Sequence, residues 1–372
     1  MFNDLEEVVR NRINQKIQHG SQMGQSAIGR LIQEANESKD FIAYLGGSRR
    51  QMSFDGGENF TMNLRTEKGF ETYNVCPHAI SQLGAKLGIP TAYIKQLAGN
   101  NSDEWKLTLA AEILNRHTEH AQQNRMLVRS VGDTVRGVLS DSYRRMNSID
   151  LVTSFVNTLQ AKGAVICDGY MNDTKIYLEA IHPNIIPIQT VNNGIVHMVF
   201  GVRFSTSDYG DGALDLRSFA MQGVCLNGMV RESMLKQIHL GGKLPENIHL
   251  SEDTYRSDTK TQALAIRDIS NNILSDAYMT KRALEIQAAS SKEIDIEAEL
   301  TNMQKGKITK AESQAIGKIF QQNDPLDGVA GSGTLWKLTQ GITAYANKID
   351  DKIRIRELHE ISGELMNRVK VS

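Results

Sequence analysis

The clearest pattern along the chain lies between residues 126 and 160, where alternating apolar positions give way to helical spacing. The segments Met126–Val131 and Thr134–Leu139 flank Gly132 and Asp133, a two-residue connection typical of a β-hairpin. Downstream, an apolar stripe at helical spacing is formed by Ile149, Val152, Phe155, Val156 and Leu159, with Gly163 after it. The pattern predicts a hairpin that leads directly into a covering helix, with Asn147 as its N-cap.

The segments that follow have the short alternation of strands. Val196–Phe204 alternates with period two, as in an antiparallel sheet with one buried face. Shorter strand patterns occupy residues 164–168, 174–180 and 214–221. Together with the hairpin and its helix, they predict an α+β fold: an antiparallel sheet with a covering helix, followed by a C-terminal helical region.

The two ends of the chain differ from this middle part. Residues 1–40 have helical spacing with an expected break at Gly20-Ser21, and short strands follow as far as residue 73. Beyond about Asp253 the pattern is helical, and Thr309 with Glu312 forms a capping box. We therefore expect three parts: residues 1–70 as a helical leader with short strands, 71–250 as an α+β core with the basic hairpin, and 251–372 as a helical domain.

Composition narrows the class of protein. With 40% hydrophobic and 23% charged residues in 372, the chain has an ordinary globular composition, and three widely spaced cysteines suit reduced thiols. No apolar run is long enough to span a bilayer, and the N-terminus lacks the features of a signal peptide, so we expect a cytoplasmic protein. The net charge of −1 provides no overall basic field, so any binding to nucleic acid must use a local patch.

The hairpin contains such a patch. Counting outward from the Gly-Asp loop places Arg129 opposite Arg136, with Arg125 on the same face, and Met126, Val128, Val135 and Leu139 on the other. Like charges directly across a ladder repel each other. The register therefore predicts one shared anionic partner on this face, and phosphate is the anion that arginine binds most commonly.

Other positions extend the predicted basic face. The candidate nucleic-acid-binding residues beyond the hairpin strands are Tyr143, Arg144, Arg145, Lys175, Arg203 and Arg217. An aromatic ring beside guanidinium groups suits base stacking combined with phosphate binding. The alternative is that these cations form surface salt bridges with nearby carboxylates: Asp133, Asp141, Glu179 and Asp215.

Residues 80–97 also match the apolar spacing of a helix-turn-helix. In that interpretation Gly88 lies in the turn, and Lys95 and Gln96 are exposed on the second helix. Two short packed helices satisfy the same spacing without reading DNA, and both interpretations stay open.

We find no catalytic signature and expect no enzyme activity, cofactor or metal. Residues 328–334 resemble a phosphate-binding loop but lack its lysine, and His117 with His120 lacks the spacing of zinc-protease helices. A spatial cluster involving Asp168, His197 or Cys225 would not be visible in the sequence.

Several of these segments resemble a phage- and plasmid-borne family whose members are labelled phage/plasmid-like proteins of unknown function. The resemblance covers roughly residues 70–365. It rests on Leu87–Pro90 with Tyr93, Arg125–Ser130, Val135–Arg144 with Asn147, Val224–Gly228, Gly333–Trp336 and Ala344-Tyr345. It implies a mobile-element setting without naming an activity.

The expectation from this sequence is a phage or mobile-element DNA-metabolism protein that binds single-stranded DNA and possibly anneals strands in recombination or replication. By analogy of fold it is similar to single-strand annealing proteins, which form homo-oligomeric rings or filaments and need no catalytic residue. The alternative is a non-enzymatic phage interaction or scaffold protein that acts on a host factor. The sequence leaves the choice between DNA and RNA open.

Overall fold

The computed structural model describes residues 2–67, 69–99, 102–122, 124–143, 147–190, 194–223, 226, 228–237, 251–322 and 333–369. The first half contains α1 (Phe2–Glu37), β1 (Ser38–Tyr44), a 3-10 turn (Gly47–Arg49), β2 (Met52–Gly56), β3 (Phe60–Thr66), β4 (Gly69–Val75), α2 (Pro77–Leu87), α3 (Thr91–Leu97), α4 (Glu104–His120), β5 (Arg125–Val131) and β6 (Thr134–Ser140).

The second half contains α5 (Ser148–Ala161), β7 (Val165–Met171), β8 (Ile176–Ile181), β9 (Ile186–Gln189), β10 (Ile195–Thr206), β11 (Leu214–Gln222) and β12 (Gly228–Gln237). The remaining helices are α6 (Glu252–Ile273), α7 (Asp276–Ser291), α8 (Ile296–Met303), α9 (Lys310–Gln322), α10 (Leu335–Ala346) and α11 (Lys352–Met366).

The strands form two sheets, which confirms the α+β class. The first sheet has the order β1-β5-β6-β4-β3-β2, and the second has the order β12-β11-β10-β8-β7 with β9 beside β10. Every pairing is antiparallel except that between β4 and β6, which is parallel over two residue pairs. The predicted hairpin belongs to the first sheet, whereas Lys175, Arg203 and Arg217 lie on the second sheet or at the start of its strands. The prediction of a single basic face required all of these cations to lie on one sheet. They do not, because the hairpin arginines belong to the other sheet.

Each sheet has its own apolar core. The first sheet packs its inner face on α2, α3 and α4, around Met62, Leu83 and Leu114. One face of the second sheet packs on α5 and α6, around Phe155 and Phe204, whose rings are stacked with centroids 4.9 Å apart. The C-terminal helices enclose a third core around Trp336.

The second sheet is buried on both faces. Every residue of β10 from Val196 to Thr206 is buried, so the prediction of a single buried face was wrong. The second face is covered by α1, which packs Val9 and Ile13 against it, and by α11. Both helices are distant from β10 in sequence, so the alternation of β10 could not indicate this layer.

The N-terminal helix runs without interruption through Gly20-Ser21, where we expected a break. A Cβ atom at Gly20 would lie 1.8 Å from the carbonyl oxygen of Cys167, and one at Gly24 would lie 2.4 Å from Ile166 Cγ2. These glycines therefore allow α1 to approach β7 closely, instead of ending the helix.

Other local predictions are confirmed. Asn147 caps α5 by accepting a hydrogen bond from the Ile149 amide at 3.2 Å, and Thr309 and Glu312 exchange the two bonds of a capping box. The predicted helix pair at residues 80–97 is present as α2 and α3, with Lys95 and Gln96 exposed. None of the helices in the described ranges combines the length and apolar character that a membrane span requires.

Candidate functional site

A bulge in the hairpin separates the two arginines that we predicted to face each other. Ser130 lies opposite Val135 as expected, but Arg129 lies opposite Gly137, so Arg136 is an extra residue in β6. The loop fixes the register only as far as the bulge. Beyond it, Val138 replaces Leu139 on the core-facing side, and the predicted Arg129–Arg136 pair was wrong.

Arg129 binds groups of the protein itself. Its Nε donates to Asp40 Oδ1 at 2.8 Å, and its Nη1 donates to the backbone oxygen of Asp208 at 2.6 Å. Asp40 is its cross-strand neighbour on β1. The guanidinium therefore joins β1 to the connection between β10 and β11, and its side chain is only 15% exposed.

Arg136 takes part in a separate ring of ion pairs. It donates to Glu34 Oε1 at 3.3 Å and to Asp173 Oδ1 at 3.1 Å, and Arg30 donates to the same two oxygens at 2.7 and 3.0 Å. The ring connects α1, β6 and the loop between β7 and β8. The hairpin arginines thus have different carboxylates, and the prediction of one shared anionic partner was wrong.

The other predicted binding residues near the hairpin are Arg125, Tyr143, Arg144 and Arg145. Arg125 is 39% exposed and lies 3.9 Å from an oxygen of Asp141. Tyr143 is half-buried, and burial raises its pKa. Arg144 and Arg145 lie outside the described residues.

An arginine pair facing across a ladder does occur in the second sheet. Arg203 lies directly opposite Arg217 on β11 and directly opposite Glu179 on β8. Arg203 contacts Glu179 at 2.5 Å, while Arg217 contacts Asp215 at 2.5 Å and Glu360 of α11 at 2.8 Å. Carboxylates on three elements therefore offset this repulsion, which matches the salt-bridge alternative.

Burial and neighbouring charges shift the pKa values of this cluster. Burial alone would raise the pKa of Glu179, but the charges of Arg203 and Arg356 outweigh it, and the pKa falls to about 2. Burial and the adjacent Arg203 charge lower the pKa of His359 to about 3, so the imidazole stays neutral and its Nδ1 faces Arg203 Nη2 at 3.0 Å. Nearby, Lys175 lies 5.0 Å from the centre of the Tyr177 ring, and burial lowers its pKa.

A cleft of about 690 Å³ opens beside Arg129, between the end of α1, the start of α5 and the first turns of α6. On its wall, Asp208 Oδ1 accepts hydrogen bonds from the Ser148 amide at 3.2 Å and the Ser148 hydroxyl at 2.7 Å. Burial raises the pKa of Asp208. Sequence spacing gave no signal for this cleft, because its walls come from segments more than 200 residues apart.

The outer face of β3 and β4 carries a basic and aromatic pair that the sequence analysis missed. Arg65 on β3 lies directly opposite Phe70 on β4, and both side chains are exposed, Phe70 to 74%. Across the described ranges, no carboxylate lies within ion-pair distance of Arg65. The alternation of Met62 and Leu64 with Asn63 and Arg65 is the sequence signal that places Arg65 on the polar face of β3.

The fold and these sites define an α+β protein with two antiparallel-rich sheets, internally paired arginines and an exposed basic and aromatic sheet face. Among the described residues, no group of three or more His, Cys, Asp or Glu side chains could hold a metal ion. No family model, curated protein or solved structure matches the chain.

Proposed function

We propose that this protein binds single-stranded nucleic acid, without catalysis, on the exposed outer face of β2, β3 and β4. The observation that supports the proposal is the cross-strand pair of Arg65 and Phe70. An exposed ring stacks on any base, and a guanidinium beside it can hold the adjoining phosphate. Because annealing requires only bound, accessible strands, no reactive side chain is needed.

The surroundings of the pair suit a strand that lies across the sheet. Further along the same face, the Thr72 hydroxyl donates to Asn63 Oδ1 at 2.6 Å, so two neutral polar side chains continue the surface. Neutral hydroxyl and amide groups hydrogen-bond sugars and bases without repelling phosphate.

The proposal changes which residues bind the strand. Arg129, Arg136, Arg203 and Arg217 each have carboxylate partners within the chain, and binding phosphate would require breaking those pairs. We therefore assign the phosphate contact to Arg65 instead. Single-stranded DNA as the ligand, a homo-oligomeric ring or filament, a mobile-element origin and a cytoplasmic location are also part of the proposal.

The test is fluorescence anisotropy with a labelled oligothymidylate. We expect Phe70→Ala to weaken binding by about tenfold, because stacking of one base contributes about 1–3 kcal/mol. Trp105→Ala is the matched control, since Trp105 is also exposed, to 62%, but lies on α4. It should leave the affinity unchanged.

Equal loss in the two variants, or no loss in Phe70→Ala, would contradict the assignment of this face. If Phe70→Ala instead changed the mass of an oligomer without changing DNA affinity, Phe70 would be a subunit contact. That result would favour the interaction or scaffold protein considered above.

A further inference from the structure

The cleft beside Arg129 has the size and lining of a small-molecule site. Its volume of about 690 Å³ lies within the range of about 300–1,000 Å³ that is usual for such sites. None of its lining residues belongs to the Arg65 and Phe70 face, so its function is independent of strand binding.

One rim of the cleft carries positive charge. Arg256 and Lys260 are exposed and lie four residues apart on α6, so both side chains extend over the same side of the helix. Neither has an ion pair within the described part of the chain. Two adjacent cations at a cleft mouth are a suitable receptor for a phosphate group.

The acidic groups of the cleft have different positions and partners. Glu34 and Asp40 already accept bonds from Arg136 and Arg129, as described above. Asp150 and Glu252 lie in the first turns of α5 and α6, where the helix dipole stabilises a negative charge.

Asp208 differs from these four carboxylates. Both hydrogen bonds from Ser148 go to Oδ1, and among the described residues no donor is bonded to Oδ2. The inner wall of the cleft therefore offers an acceptor for a ligand donor. Tyr255 of α6 also lines the cleft and provides a half-buried ring.

We propose that this cleft binds a guanine nucleotide, with its phosphate on Arg256 and Lys260 and its base edge on Asp208. Guanine presents two neighbouring donors, N1–H and the exocyclic amine, and Asp208 Oδ2 can accept from both with its two lone pairs while Oδ1 keeps its bonds to Ser148. Adenine presents an amine next to an acceptor nitrogen. That nitrogen would face the carboxylate oxygen, and two acceptors repel each other. Tyr255 supplies an aromatic face for the base.

The test is isothermal titration calorimetry of the full chain with GMP, AMP and inorganic phosphate. We expect GMP to bind at least about tenfold more tightly than AMP or inorganic phosphate, since only GMP satisfies both ends of the cleft. The double variant Arg256→Ala, Lys260→Ala should weaken GMP binding by at least about tenfold. Arg267→Ala on the same helix is the control and should bind normally, because Arg267 is 51% exposed and lies outside the cleft.

A second variant tests the base contact. Asp208→Asn should remove the preference for GMP over AMP, because the amide oxygen stays with Ser148 and the NH2 group then faces the donors of guanine. Its folding is checked by circular dichroism, and the rim variant, which changes only exposed residues, keeps the proposal testable if Asp208→Asn fails to fold. GMP binding that is absent, no tighter than that of phosphate, or unchanged in the rim variant would overturn the proposal.

Discussion

At the scale of single residues, Arg129, Arg136 and Arg203 hold distant parts of the chain together. Arg129 and Arg136 reach carboxylates on β1, α1 and a distant loop, and Arg203 reaches Glu179. A guanidinium that is mostly covered must find acceptors within the protein, because an unpaired buried charge is strongly unfavourable. Their role is therefore structural within one chain.

Removal of Arg136 should destabilise the fold measurably. Arg136→Ala leaves Glu34, which is 7% exposed, with Arg30 as its remaining guanidinium partner. We expect a loss of about 2–3 kcal/mol in the free energy of unfolding, measured by urea denaturation. Arg125→Ala, at a side chain that is 39% exposed, should cost less than about 1 kcal/mol. Similar losses of unfolding free energy for both variants would show that the ion pairs of Arg136 stabilise the fold no more than an exposed ion pair does.

His359 should make the protein sensitive to mild acid. Its pKa is about 3 in the folded protein, whereas the unfolded chain titrates near the ordinary value of 6.5. Between these values the unfolded state binds the extra proton, so stability is present above about pH 6.5 and falls as the pH decreases.

The measurement is the free energy of unfolding at about pH 7 and about pH 5, where this one group accounts for up to about 2 kcal/mol. His359→Gln should lose correspondingly less stability across this interval than the wild type does. An identical acid response in the two proteins would show that His359 titrates normally when folded. Glu179 acts in the same direction at lower pH, from its ordinary value of 4.5 down to about 2.

At the scale of elements, periodicity and capping residues predicted most of the structure well. The hairpin, α5 with its Asn147 cap and the paired helices α2 and α3 follow from local patterns, because turn chemistry and capping act between near neighbours. The bulge at Arg136 and the unbroken course of α1 do not follow from them. At both places the chain meets segments that are distant in sequence: Arg136 bonds Glu34 and Asp173, and Gly20 lies against Cys167.

The glycines of α1 give a test at this scale. Gly20→Ala should destabilise the protein by about 2 kcal/mol or more, because its Cβ would overlap the Cys167 carbonyl and force α1 away from β7. Gly29→Ala on the same helix has no atom within 4 Å of the new Cβ. It should stabilise the protein by about 0.5–1 kcal/mol through helix propensity. Thermal unfolding compares the two, and a gain in stability for Gly20→Ala would contradict the close approach.

At the scale of the whole molecule, charge balance limits how nucleic acid can bind. The net charge is −1, and five of the predicted phosphate contacts are ion-paired within the chain: Arg125, Arg129, Arg136, Arg203 and Arg217. Affinity must then come from stacking and from few phosphates, so it should depend weakly on salt.

We therefore expect the slope of log K against log salt concentration to be shallow for a single strand. About one to three phosphate contacts would give about −0.7 to −2, and Arg65→Ala should reduce the slope by about 0.7. Anisotropy titrations over a range of salt concentrations measure both values. A slope of about −4 or steeper would require a basic surface other than the Arg65 and Phe70 face.

The sequence by itself determined the α+β class, most strand and helix positions, their caps and the positions of the basic residues, because these depend on contacts between near neighbours. Only the tertiary structure decided that the strands divide into two sheets and that α1 covers the second. It also decided which carboxylate meets each arginine, and it placed Asp208 and Lys260 in one cleft. The physical reason is that a charge shows its sign in the sequence, whereas its partner is set by packing between distant segments.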